Sequence, residues 1–153
     1  MAQQMASVDL AGIRNMRHHI NGINVSGFYH VNHKLSCGIE MNRFFKATQQ
    51  VNEENVEMSA WDFDLNFHYL LPFSKKLKWY PICGISHTSE NERNPATGVT
   101  VYERCWSFNT GAGMLLSLGK WSPHMEYLFT WGPINQQFLL AGISYEIAWG
   151  KEK

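Results

Sequence analysis

Acidic, amide and imidazole side chains recur at every second position along several segments of this chain. Between Ala60 and Leu71 the polar residues are Asp62, Asp64, Asn66 and His68. Alternate residues of a β-strand point to opposite faces, so these four side chains share one face. A cluster of carboxylates and imidazoles could catalyse acid–base chemistry, guide cations or form a hydrogen-bonded network.

The opposite face of the same segment consists of large apolar side chains. It carries Trp61, Phe63, Leu65, Phe67, Tyr69 and Leu71. So many rings in a row are unusual for an ordinary half-buried strand, but they are typical of a strand that has lipid on one side and a wet lumen on the other. The segment also has the length of a tilted membrane-spanning strand, about 9–11 residues.

The rest of the chain shows the same period of two and predicts an all-β fold. We predict strands over 22–31, 35–46, 59–71, 77–87, 103–117, 121–131 and 137–149, with an eighth strand in 5–16. The register of 78–86 stays open, because apolar residues occupy both faces. Residues 1–153 are expected to form a single β-barrel domain, with 1–20 holding the first strand and the first connection.

Composition narrows the classes of protein that fit. The formal net charge is zero, which argues against a nucleic-acid partner. No apolar run reaches the 18 or more residues of a transmembrane helix. If this chain lies in a membrane it must be a closed barrel, because only helices and closed barrels satisfy every backbone group in lipid.

The predicted connections alternate between short turns and long polar segments. The turns near Asn32, Pro72 and Leu118 are short, whereas 46–58 and 88–100 are long and polar. We call the two ends of the predicted barrel the short-turn end and the long-loop end. An up-and-down barrel in an outer membrane shows this alternation.

Large aromatic residues collect near both of these ends. Trp79, Trp121 and Trp149 fall near the short-turn end, and Phe45, Trp61, Trp106 and Trp131 fall near the long-loop end. Aromatic girdles occupy these positions at the two interfaces of a membrane. A soluble lipocalin- or avidin-like barrel that binds an apolar ligand is the alternative, with the apolar set turned inward. Eight strands enclose little more than their own side chains, so that many inward rings would overfill the barrel.

Three segments carry a resemblance to a known family. WSFNTGAGM (106–114), GKWSPHMEY (119–127) and FLLAGISYEI (138–147) are similar to the last three strands of small outer-membrane β-barrels of the OmpA/OmpX-like, porin-like superfamily. The resemblance implies an eight-stranded antiparallel up-and-down transmembrane β-barrel. It also implies a Gram-negative outer-membrane location, with outer-membrane lipid or lipopolysaccharide and other envelope proteins as partners.

The polar faces then fill the predicted lumen. The expected lumen network consists of Glu40, Asp62, Asp64, Asn66, His68, His124, Glu126 and Glu146. Charges in a narrow barrel must be paired, so we interpret this set as a hydrogen-bonded plug. A small cation-selective pore is the alternative, because rings of Asp and Glu attract cations.

No catalytic residues, cofactor or metal are predicted. Ser86 and His87 are neighbours on a strand, so they point to opposite faces and do not form a nucleophile–base pair. His18-His19 suggests metal binding only weakly, and Cys37, Cys83 and Cys105 lack metal-ligand spacing. We therefore expect a non-enzymatic structural, adhesion or accessory-subunit role in the cell envelope.

The first residues, MAQQMASVDL, show no basic stretch followed by an apolar core, so we expect no signal peptide within them. A mature N-terminus and a cytosolic protein both fit this observation.

Overall fold

The structure is a computed structural model that describes residues 4–51 and 54–149. Its ten strands are β1 (Gln4–Asn15), β2 (Ile20–His30), β3 (Leu35–Phe44), β4 (Ala47–Val51), β5 (Glu54–Tyr69), β6 (Leu71–Pro72), β7 (Leu77–Arg93), β8 (Thr100–Leu116), β9 (Trp121–Trp131) and β10 (Gln136–Trp149). Within the described ranges, no helix is long and apolar enough to cross a membrane.

Eight of the strands close into one antiparallel barrel. Neighbours along the chain pair with each other, β5 pairs directly with β7, and β1 closes the ring by pairing with β10 from Gln4↔Trp149 to Asn15↔Phe138. The two short strands lie outside this ring order, β4 against β5 and β6 against β7. The predicted eight-stranded up-and-down barrel is confirmed.

The wall is apolar outside and polar inside. Along β5, Trp61, Phe63 and Leu65 are exposed, while Asp62 and Asp64 between them are buried. The other barrel strands also alternate between buried and exposed side chains, because successive residues of a strand point to opposite faces. The soluble alternative required the apolar set to face inward, and the structure places that set on the outside instead.

The register that the sequence left open is fixed by pairing of β7 with both neighbours. Tyr80 and Ile82 face inward and are buried, whereas Trp79, Pro81 and Ile85 face outward. The first strand, β1, covers almost all of the expected segment 5–16 and begins one residue earlier. Its inward side carries Ser7, Asp9, Ala11 and Ile13, and this mixture of polar and apolar side chains explains its weak alternation.

The two polar segments predicted as long loops are largely strand. β4 and the start of β5 form a hairpin from the first segment, and β7 and β8 remain paired as far as Arg93↔Thr100. The connection between them is only 94–99. Strands that are in water on their outer side need no apolar face, so their sequence lacks the hydrophobic period that marks the wall. These hairpins extend the barrel beyond its long-loop end.

Candidate functional site in the barrel lumen

The lumen near the long-loop end is packed mainly with apolar side chains. Phe44 and Phe138 stack there with ring centroids 5.4 Å apart, and the buried polar side chains of Asn15, Gln136 and Glu90 bond to one another at the same end. The apolar residues at this end are Ile13, Ile20, Phe44, Met58, Phe138 and Leu140, and they belong to a cluster that continues along the wall to Leu70 and Tyr80. Each of these residues is at most 7% exposed, so little free space is left in this part of the barrel.

A belt of carboxylates and amides crosses the middle of the lumen. It is built by the polar faces of β2, β3, β5 and β8, and its members are Asn24, Glu40, Asn42, Asp64, Asn66 and Asn109. The amide of Asn24 donates to Glu40 Oε2 at 3.2 Å and to Asn42 Oδ1 at 2.7 Å. Asn66 Nδ2 donates to Glu40 Oε1 at 2.7 Å. Each bond joins two different strands of the wall.

Asp64 is the acceptor at the centre of this belt. Its Oδ2 accepts from Asn42 Nδ2 at 2.7 Å, its Oδ1 accepts from Asn109 Nδ2 at 3.2 Å, and Ser86 also bonds to it. Thr130 Oγ1 extends the belt to β9 by donating to Asn109 Oδ1 at 3.0 Å. Both oxygens of Asp64 are therefore occupied by donors from the protein, which is how a buried carboxylate is accommodated without a counter-charge.

The short-turn end contains a cavity instead of a packed layer. Its volume is about 390 Å³, and polar and aromatic side chains line it together. His68 is stacked between Phe28 and Tyr80, with centroid distances of 4.3 and 4.8 Å. Tyr80 donates its hydroxyl to Glu126 Oε1 at 2.7 Å. The cavity also reaches turn residues 31–33, so it is a vestibule at the short-turn mouth of the barrel.

Several polar atoms around this vestibule have no hydrogen-bond partner among the described residues. They belong to the side chains of Asp9, His30, His68 and Ser122, all of which line the cavity. The other ring nitrogen of His30 is paired with Ser36 Oγ at 2.8 Å. The vestibule is thus less completely bonded than the belt above it.

The predicted lumen residues separate into these regions. Glu40, Asp64 and Asn66 lie in the belt, while His68, His124, Glu126 and Glu146 line the vestibule. Asp62 is buried next to the belt and bonds Thr88, although its Oδ1 has no partner among the described residues. The structure brings all eight inside the barrel. The two regions approach each other where His68 Nε2 lies 3.9 Å from Glu40 Oε1, but no hydrogen bond among the described residues joins them at this point.

Some lumen residues were outside the predicted network. Asn24, Asn42 and Asn109 lie on the polar faces that alternation identifies, so their spacing was a usable signal. Asp9 and Tyr80 belong to the two segments with weak alternation, and no sequence pattern marked them as lumenal.

The seven aromatic residues predicted as girdles all point away from the lumen. Phe45, Trp61, Trp79, Trp106, Trp121, Trp131 and Trp149 are each exposed on the outer wall. His87 lies between two of them, with ring centroids 6.3 Å from Trp61 and 4.9 Å from Trp106. Trp131 Nε1 donates to Thr110 Oγ1 at 2.7 Å on the neighbouring strand.

The hydrolase and metal motifs do not assemble. Ser86 is buried in the lumen and His87 faces outward, as their adjacency on a strand requires. His18 and His19 lie in the turn between β1 and β2. Across residues 4–51 and 54–149, no group of three His, Cys, Asp or Glu side chains has the geometry to hold a metal ion.

Comparison with solved structures identifies the type of barrel. The N-terminal β-barrel domain of Pseudomonas aeruginosa OprF superimposes with a TM-score of 0.77 at 12% identity, covering 94% of this chain and 97% of that domain. OprG of the same organism gives a TM-score of 0.68 at 10% identity, covering 95% of this chain and 93% of OprG.

Ail, the attachment invasion locus protein of Yersinia pestis, gives a TM-score of 0.62 at 10% identity and covers 95% of this chain and 97% of its own. No protein-family model matches the sequence. No curated protein matches it either. The chain therefore has the fold of the small outer-membrane β-barrels, at sequence identities too low to carry more than the fold.

Proposed function

We propose that this protein is an integral β-barrel of a bacterial outer membrane whose lumen does not conduct. The outer wall supports the membrane location. Leu65 and Ile39 pair directly on neighbouring strands and are both exposed, and Ile85 continues this apolar band on the next strand. Such a surface is unfavourable in water and favourable in lipid. Ail, which shares the fold, has been studied in a phospholipid bilayer nanodisc.

The exposed aromatic residues fit the two interfaces of that membrane. Trp79, Trp121 and Trp149 lie at strand ends next to the short turns, and Trp61, Trp106 and Trp131 lie toward the long-loop end. Indole rings favour the headgroup region because they are apolar with a polar N–H. We propose that the short-turn end faces the periplasm and the long-loop end faces the exterior.

The observation that carries the non-conducting reading is the filling of the lumen. The hydrogen-bonded belt crosses the middle of the lumen, apolar side chains pack the long-loop end, and the vestibule lies at the short-turn end. Eight strands enclose just enough space for side chains to fill. We therefore assign the lumen a structural role. The alternative is a small cation-selective pore that opens when the belt rearranges.

Planar-bilayer recordings distinguish these two functions. We expect no stable conductance after insertion of the purified barrel, with insertion verified separately by protease protection of the protein in vesicles. A cation-selective conductance that disappears in the double variant Asp62→Asn with Asp64→Asn would replace the plugged barrel by a channel. A purified channel-forming barrel, used as a positive control, must conduct in the same membranes before the absence of conductance can be interpreted.

The hairpins at the long-loop end are the proposed working surface. Val99, Val101 and Tyr102 are exposed there, and Tyr102 is 69% accessible. Lys46 Nζ and Glu57 Oε2 form an ion pair of 2.6 Å that ties β5 to the segment preceding β4. Tyr102 itself lies on the β7–β8 hairpin, opposite Asn91. An exposed aromatic residue on a β-hairpin suits contact with another protein, as an adhesin or accessory subunit would need.

A photo-crosslinking amino acid tests this surface in intact cells. Placed at Tyr102 it should form adducts with another envelope or host protein, whereas the same group at Asn32 in a short turn should not give that adduct. Absence of any adduct at Tyr102 in a correctly inserted barrel would contradict the adhesion and accessory roles and leave only a structural one.

A further inference from the structure

An apolar groove of about 590 Å³ runs along the outer wall near the short-turn end. Its sides are formed by Phe73, Leu77, Trp79, Met114, Met125 and Tyr127. Its floor is recessed because Ala112 is small; this residue pairs with Pro81 on one side and Tyr127 on the other. Large side chains thus surround a strip of wall that a flexible hydrocarbon chain can occupy.

Two short turns lie at the mouth of this groove and carry lysines. Lys75 and Lys76 lie in the turn that precedes β7, and Lys120 lies in the turn between β8 and β9. The backbone N–H of Ser117 donates to the carbonyl of Lys76 at 2.7 Å, so the two turns are held side by side. All three lysines are exposed.

No acid in the two turns offsets these lysines, and Glu146, whose backbone N–H donates to the carbonyl of Lys120, lines the vestibule on the inner side of the wall. Residues 73–76 and 117–120 contain no Asp or Glu. None of the three ammonium groups forms an ion pair with a carboxylate of the described residues. The hairpins at the long-loop end differ, because there Lys46, Arg93 and Arg104 are interspersed with Glu57, Glu92 and Glu103. Unpaired positive charge is concentrated at the groove.

We propose that the groove and its lysines bind one anionic glycerophospholipid of the periplasmic leaflet. One acyl chain lies between Trp79 and Tyr127, and the phosphate is held by Lys75, Lys76 and Lys120. This inference rests on the proposed membrane orientation. An ammonium near a membrane surface attracts acidic lipids, and three exposed lysines on two adjacent turns favour an anionic headgroup over a zwitterionic one. The apolar groove adds acyl-chain contacts that free phosphate could not make.

Native mass spectrometry of the detergent-extracted barrel tests this site. Phosphatidylglycerol and phosphatidylcholine with identical acyl chains are added in turn, and retained lipid is counted per protein. We expect one phosphatidylglycerol to be retained preferentially. The triple variant Lys75→Gln, Lys76→Gln, Lys120→Gln should lose this preference. Each lysine removed should weaken phosphatidylglycerol retention about fivefold. Lys34→Gln, in the short turn between β2 and β3, is the matched control and should retain it.

A second variant tests the contribution of the apolar groove separately from that of the lysines. Ala112→Phe fills the floor of the groove while keeping all lysines, so phosphatidylglycerol retention should fall severalfold. Gly27→Phe adds the same ring to the exposed outward side of β2 and should leave retention unchanged. A single unchanged phosphatidylglycerol site in the triple variant, or equal retention of both lipids by the wild type, would overturn the proposal. Failure of the wild type to insert into vesicles would instead refute the proposed membrane function.

Discussion

The two ends of the lumen fill the same narrow barrel in different ways. Near the long-loop end Phe44 and Phe138 stack within a continuous apolar cluster. Near the short-turn end the wall encloses a cavity of about 390 Å³ lined by small polar side chains such as Ser122 and Ser144. The backbone is equally regular at both ends, so the side chains alone decide which end is closed.

The difference shows what closes an eight-stranded barrel. Alternation places one side chain in two inside the barrel, and only large residues at those positions can fill it. The central belt separates the two ends because its amides and carboxylates bond across strands and leave no unoccupied oxygen on Asp64. The packed end and the belt therefore supply closure, and the vestibule supplies a solvent-facing recess.

Matched substitutions of two buried phenylalanines give the largest expected contrast. Phe44→Ala leaves a cavity inside the packed cluster, so unfolding free energy should fall by about 3–5 kcal/mol. Phe28→Ala enlarges a recess that already exists beside His68, so its cost should be smaller by about 1–2 kcal/mol. Urea unfolding of both variants in the same lipid vesicles measures the difference.

Phe28 is packed on one side and borders the vestibule on the other. A Cβ built on Gly38 would meet the Phe28 ring at 2.3 Å, so the ring contacts the bare backbone of β3, while the same side chain lines the cavity. Equal losses for Phe28→Ala and Phe44→Ala would show that the short-turn end is packed as tightly as the long-loop end, and the contrast between the two ends would be abandoned.

Substitutions on the two faces of β5 are expected to have the next largest effect. Leu65→Arg places a charge on the middle of the proposed lipid face and should cost about 2–4 kcal/mol in vesicle unfolding titrations. Asp64→Asn, its neighbour in the belt, should cost about 1–3 kcal/mol, because an amide has one acceptor where the carboxylate accepts from both Asn42 and Asn109.

The solvent used for unfolding sharpens this test. In detergent-free buffer Leu65→Arg should be neutral if the barrel is soluble, since Leu65 is 39% exposed and touches no lipid there. A wild-type chain that stays monomeric and folded without detergent, with Leu65→Arg harmless, would remove the membrane assignment while leaving the fold intact.

The alternation of apolar and polar residues predicted both a strand and the direction of its side chains only where one face of the strand had to be apolar. Both the strand and its facing were predicted for β5 because its outer and inner faces carry opposite kinds of side chain along its whole wall segment. For β7 the strand was predicted but its register was not, since Tyr80 enters the lumen by bonding Glu126 and Ile82 by joining the apolar cluster. The extensions of β7 and β8 were predicted as loops because they lie beyond the apolar wall and lack its hydrophobic period.

Prediction of the lumen site from the sequence was limited in a similar way. Alternation identifies which side chains face inward, so the lumenal position of Asp64 and Glu126 followed from spacing. Which inward groups bond each other depends on the stagger between distant strands, as in the bond from Asn109 on β8 to Asp64 on β5. One sequence gives no information on that stagger, so the division into belt and vestibule required coordinates.

Two buried serines provide the smallest contrast between the belt and the vestibule. Ser86 and Ser122 are each 2% exposed, but Ser86 bonds Asp64 and Ser122 Oγ has no partner among the described residues. Ser86→Ala removes a donor from a buried carboxylate and should cost about 1–3 kcal/mol. Ser122→Ala removes a hydroxyl that makes no such bond, so its effect should stay within about 0.5 kcal/mol and can be stabilising.

Urea titrations of the two variants in one lipid, with Ser107→Ala as a third inward serine, measure the pair. If Ser122→Ala proved as costly as Ser86→Ala, the Ser122 hydroxyl would have to hold an ordered water or ligand in the vestibule, and the short-turn end would be as fully bonded as the belt.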